Sequence, residues 1–160
     1  MGPIWQANDA TNYQLNPMWH YALKCYGKPE VQSTLLQLQD RFDMNVNAVL
    51  WFGFLARSGR SALCTAQSHL NDWNQRYTQP IRALRRRAKS LEPASLYQHI
   101  LELELQSEFL EQCLLMEYEG KSKTGATAKM CFVASLEGWG YKVEGEELQT
   151  LLEGLQLNED

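Results

Sequence analysis

Residues 46–56 read V-N-A-V-L-W-F-G-F-L-A, and Asn47 carries the only polar side chain among them. A helix that is apolar on every side is stable in water only when neighbouring elements cover it all round. The run is too short to cross a bilayer, which takes about 20 apolar residues. A bundle is therefore expected, with a helix over about residues 46–57 at its centre. Gly53 is the one break in that helix and is expected to let a neighbouring backbone come close.

Helical punctuation surrounds this segment. Asn16-Pro17 reads as an N-cap followed by proline at the first helical position. Met18, Ala22 and Cys25 mark one face, and Gly27 stops the helix. Pro29 opens the next, with Val31, Leu35, Leu38 and Phe42 at helical spacing. Asp43 and Asn45 are candidate caps for the central helix. Leu63, Ala66, Leu70, Trp73, Tyr77, Ile81, Leu84, Ala88 and Leu91 then form one helical stripe. Pro80 interrupts it, because its ring clashes with the carbonyl four residues earlier. A kink is expected there, or two helices meeting near Thr78-Gln79.

Pro93 starts a helix to about Tyr118 with two apolar stripes: Leu96, Ile100, Leu103, Leu110 and Leu114, then Leu101, Leu105, Phe109 and Met116. G-K-S-K-T-G, residues 120–125, reads as a flexible polar linker. Two shorter helices follow, about 126–137 and 145–155. No alternating β-branched run predicts a sheet. The expected class is all-α: a single-domain bundle of six to eight helices. An arm spans 1–15, the core 16–118, a linker 119–125, and a C-terminal helix pair 126–160 packs on the core. Helices 61–90 and 93–118 are expected as long walls around the central one.

A chain of 160 residues can bury about 70% of its unfolded surface and needs no disulfide or metal to fold. Its hydrophobic fraction of 44% and charged fraction of 21% exclude a disordered chain. The N-terminus lacks a basic stretch followed by an apolar core, and Gln6 stands where a myristoylation signal needs Ser or Thr. These features predict a cytoplasmic protein with no membrane association. Cys25, Cys64, Cys113 and Cys131 form no C-x-x-C pair and do not cluster in sequence with His20, His69 or His99. They read as reduced thiols acting as small apolar side chains, with no metal or cofactor implied.

Two stretches look familiar: L-Q-L-Q-D-R-F-D-M-N-V-N-A-V-L-W-F at 36–52, and P-I-R-A-L-R-R-R at 80–87 with L-Y-Q-H-I-L-E-L-E-L-Q-S-E-F-L-E-Q at 96–112. Together, over roughly 17–117, they resemble a family of proteobacterial proteins of about this length that is a domain of unknown function. The resemblance implies a small cytoplasmic helical protein of proteobacteria. It brings no activity, cofactor or catalytic residue with it.

Several constellations bear on chemistry. Asp40, Arg41, Asp43, Asn45 and Asn47 gather at a helix junction. Paired carboxylates at a helix start can hold Mg²⁺, but the spacing is D-x-x-D and no second aspartate-rich motif completes a cluster. Helix capping with an Asp–Arg pair is the simpler reading. Glu104, Glu108 and Glu111 share a face of the long helix, and Glu102 follows His99 by three. Di-iron bundles use E-x-x-H from two helices, whereas this chain has H-x-x-E once. A solvated acidic face that pairs with nearby cations accounts for it. G-K-S-K-T-G lacks the preceding glycine and strand of a phosphate loop. The C-terminal pair could be shaped as a helix-turn-helix, but Glu144, Glu146, Glu147 and Glu153 would set an acidic helix against phosphates, so specific DNA reading is excluded. No nucleophile elbow is present.

The segment P-I-R-A-L-R-R-R-A-K-S at 80–90 is strongly basic in a chain of net charge −4. Arg82, Arg85, Arg86 and Lys89 fall on one helical face, with Arg87 at its flank. Guanidinium forks pair phosphate or carboxylate bidentately. The expectation is a non-catalytic interaction or adaptor module that docks a protein or RNA partner through this face. A homodimer, basic face against the acidic long helix of a second copy, is a further possibility. The alternative is a small helical enzyme or ligand-binding protein using the corner at Asp40–Asn47.

Overall fold

A computed structural model describes residues 16–90 and 93–158. The expected N-terminal arm, and Leu91 at the end of the expected stripe, lie outside the described residues. The class is all-α, with helices α1 (Pro17–Tyr26), α2 (Pro29–Phe42), α3 (Val46–Ala56), α4 (Ala66–Trp73), α5 (Gln79–Ala88), α6 (Ala94–Met116), α7 (Ala128–Gly138) and α8 (Gly145–Gly154). A π-helical turn, Asn74–Thr78, joins α4 to α5 without a gap. The one sheet among the described residues is a two-residue ladder of β1 (Arg60–Ser61) and β2 (Lys121–Ser122). No described helix is long and apolar enough to cross a membrane.

The helices divide between two compact units. Among the described residues, one comprises 16–62 together with 120–158, and the other lies within Leu63–Glu119. In the first unit α3 is central, as its composition demands. Ala48, Val49, Leu50, Trp51, Phe52, Leu55 and Ala56 are all buried. Within this unit the walls around α3 are α1, α2 and α7. The long helices expected in that role pair with each other in the second unit. The C-terminal helices belong to the first unit: α7 packs on α3 and α8 on α2, bringing Phe132, Leu136, Leu151 and Leu152 into its core.

Local chemistry sets the helix ends. The side chain of Asn16 accepts from the Trp19 amide at 3.0 Å, and Asn45 does the same for Ala48 at 3.0 Å. Asp43 does not cap α3. It ends α2 in the left-handed conformation, at φ 54°. Phe42, expected in the core, is exposed beneath the Arg41 guanidinium, 5.1 Å from the ring centre. Gly53 admits side chains rather than backbone. A Cβ there would stand 2.6 Å from the Tyr21 hydroxyl, which donates to the Leu155 carbonyl at 2.8 Å.

The segment 120–125, expected as a flexible polar linker, contributes β2, which runs antiparallel to β1 with Arg60 opposite Ser122 and Ser61 opposite Lys121.

Candidate functional site

The second unit is organised by α6 and the continuous helical stretch that packs on it, α4 to α5. The break expected at Pro80 takes the form of the π turn just before it. The Gln79 amide reaches back five residues to the Asn74 carbonyl. A wider turn relieves the clash of the proline ring with the preceding turn. It also resets the helical phase. Upstream of it Ala66 and Leu70 are buried; Thr78 at its end and Ala88 beyond it are also buried, while Tyr77 and Leu84 of the expected stripe are exposed.

Thr78 therefore faces α6, and the line between the two helices is polar. On α6 the facing residues are Glu104, Ser107, Glu108 and Glu111, spaced three and four apart. They lie between the two apolar stripes. Asn74 Nδ2 and Thr78 Oγ1 both donate to Glu111 Oε1, at 2.7 and 2.9 Å. With the Thr78 proton committed to that carboxylate, the Ser107 hydroxyl, 2.7 Å away, donates to Thr78. Trp73 Nε1 donates to Ser107 at 3.3 Å. Hydrogen bonds thus run in one direction onto Glu111, whose side chain is 1% exposed. Such a charge is tolerated in a helix interface when donors surround it.

Farther along the seam the donors are cations. Arg82 Nε donates to Glu104 Oε1 at 3.1 Å and its terminal nitrogen to Glu108 Oε1 at 3.0 Å. Arg85 pairs with the other oxygen of Glu104. Burial pushes the Glu108 carboxyl above its usual range; Arg82 opposes this, and the neighbouring Glu104 and Glu111 carboxylates add to it. Bonded to these donors, the carboxylates hold the two helices in register.

The four basic residues singled out in the sequence consequently do not act alike. Arg82 and Arg85 turn inward onto glutamates. Arg86 and Lys89 are exposed, as is Arg87, and none of these three has an ion-pair partner among the described residues. Leu84, one turn before Arg87, is exposed as well. Thr78, Ser107 and Asn74 escaped notice in the sequence because each lies beside an apolar stripe, where a small polar residue reads as solvated surface. Their phase, matching that of Glu104, Glu108 and Glu111, was the available signal.

The acidic corner lies in the first unit and is occupied by structural bonds. Arg41 pairs with Glu147 of α8, Asn45 caps α3, and the Asn45 amide donates to the Tyr141 hydroxyl at 3.2 Å. Burial raises the Tyr141 hydroxyl above its usual range, so that it stays protonated. Asp40 and Asp43 are exposed, and Asn47 is half-buried. Among the described residues no three His, Cys, Asp or Glu side chains come together as metal ligands.

A family model described as a protein of unknown function (DUF2390) matches residues 17–115. The chain belongs to this family. No curated protein and no solved structure matches the chain. The matched residues take in α1 to α5 and nearly all of α6, but stop before β2, α7 and α8. The side chains that complete the first unit's core, Phe132 and Leu136 among them, therefore come from outside the matched span.

Proposed function

We propose that this protein is a non-catalytic interaction module, and that it docks an acidic, partly apolar protein segment through the outward face of α5. Arg86, Arg87 and Lys89 carry the reading: three neighbouring cations, exposed and without an intramolecular counter-ion among the described residues. Leu84, exposed one turn before Arg87, favours a protein over RNA, because a flexible leucine gives no flat platform for base stacking. A net charge of −4 argues against loose coating of nucleic acid and suits a local docking patch. We take the protein to act in the cytoplasm of a proteobacterium, where its four cysteines, none in a C-x-x-C pair, would stay reduced.

The test is affinity capture from a proteobacterial lysate with wild type and with an Arg86→Glu, Arg87→Glu, Lys89→Glu variant, each with and without nuclease. Arg82 and Arg85 stay intact, so the seam and the fold are preserved. A protein retained by wild type, lost by the variant and indifferent to nuclease is expected. Nuclease-sensitive capture would transfer the patch to RNA, and identical captures would remove its role altogether.

A further inference from the structure

The seam fixes the register of α5 against α6. Thr78 meets Glu111, Arg82 meets Glu108 and Arg85 meets Glu104. Each step forward along α5 is a step back along α6, so Arg87 stands level with Glu102. Both side chains are exposed and point away from the seam on opposite edges of the pair. Helical phase settles the rest. With the polar line turned inward on both helices, Tyr77 and Leu84 of the first and Leu96 and Leu103 of the second fall on the same broad face. All four are largely open: Tyr77 48%, Leu84 43%, Leu96 42% and Leu103 49% exposed. A two-helix layer with an apolar face is half of a four-helix bundle.

We propose that a second copy of this chain covers that face, its own α5–α6 layer closing the bundle about a two-fold axis parallel to the helices. This rests on the reading of the α5 face as a docking surface and names one partner for it. Such an axis preserves levels along the bundle and exchanges the helices. The α5 of one copy then lies antiparallel on the α6 of the other. Leu84 packs toward Leu103 of the second copy, and Arg87 meets Glu102 of the second copy at the edge. That ion pair occurs twice, as an isologous interface requires. Face-to-face packing about an axis perpendicular to the helices would instead set Arg87 against the basic helix of the second copy. Charge complementarity selects the parallel axis.

The experiment is the mass of the full chain in solution, by light scattering and sedimentation over a concentration series. Wild type is expected at about twice 18.4 kDa. Leu84→Asp with Leu103→Asp should give a monomer of unchanged helix content by circular dichroism, since both side chains are exposed. Arg87→Glu and Glu102→Arg should each weaken association roughly tenfold, and the two together should restore it. Wild type that stays monomeric throughout overturns the dimer, as does a dimer indifferent to the leucine variant. A dimer weakened by both single charge variants but not restored by the double overturns the proposed axis. A monomer whose lysate capture is still lost with the α5 charges leaves the docking face standing without the dimer. A dimer that obeys the charge swap but whose capture ignores those charges does the reverse.

Discussion

The two units bury opposite chemistry. Around α3 the first unit is packed with Trp51, Phe52, Trp139 and Tyr141, whose ring centroids lie 5.0 to 6.1 Å apart. The second unit spends the interface between its two long helices on carboxylates, hydroxyls and guanidiniums. Apolar burial is non-directional and scales with area, so it yields stability and tolerates small slips. A polar seam has little net gain per bond, yet a slip of one turn would strand Glu111 and Glu104 without donors. The first unit is thus made stable by its core, and the second is made specific by its seam.

The sharpest way to break that contrast is a truncation in each unit. Phe132→Ala in the first should cost about 3–5 kcal/mol in urea unfolding, since the ring is fully buried. Next comes Gly154→Ala. A Cβ there would run into the Val31 side chain, and overpacking of this kind costs about 1–3 kcal/mol. In the second unit Thr78→Val keeps volume but removes the donor to Glu111. We expect a loss of about 1–3 kcal/mol, visible as faster amide exchange within 66–116 and unchanged protection in α3. If Phe132→Ala and Thr78→Val loosen both units equally, the contrast fails.

Acid offers a gentler probe. The Glu108 pKa is raised in the folded state, so folding favours its protonated form. Its contribution to stability is full below the unfolded pKa and is lost as pH rises through the folded one. Carboxyl chemical shifts should place its midpoint above that of the unfolded chain, and Glu108→Gln should flatten the pH dependence in that window. The smallest effect is expected at Asp40→Ala, an exposed site, within about 0.5 kcal/mol by the same urea measurement.

Much of the architecture could be read from the residues. Asn16-Pro17, Gly27, Pro29 and Asn45 punctuate the first three helices because capping is local chemistry. The burial of α3 follows from a composition that leaves it no polar side. What could not be read is non-local. Nothing in the stripe from Leu63 to Leu91 tells whether it walls α3 or pairs with α6, since a leucine face suits either. Pro80 announced a break but not its form, and the π turn changes which residues face inward. Arg82 and Arg85 look the same as Arg86 until their distance from Glu104 is known.

The ladder between Arg60–Ser61 and Lys121–Ser122 ties the chain's departure from the first unit to its return. Seen from that unit, Leu63–Glu119 is cargo on a β-hairpin. Closing a loop costs only about (3/2)RT ln n, so shortening 57 residues to a two-residue Asn-Gly turn changes that term slightly and in the favourable direction. The first unit should survive excision of the second, and the same junction should accept foreign inserts whose ends lie one hairpin apart.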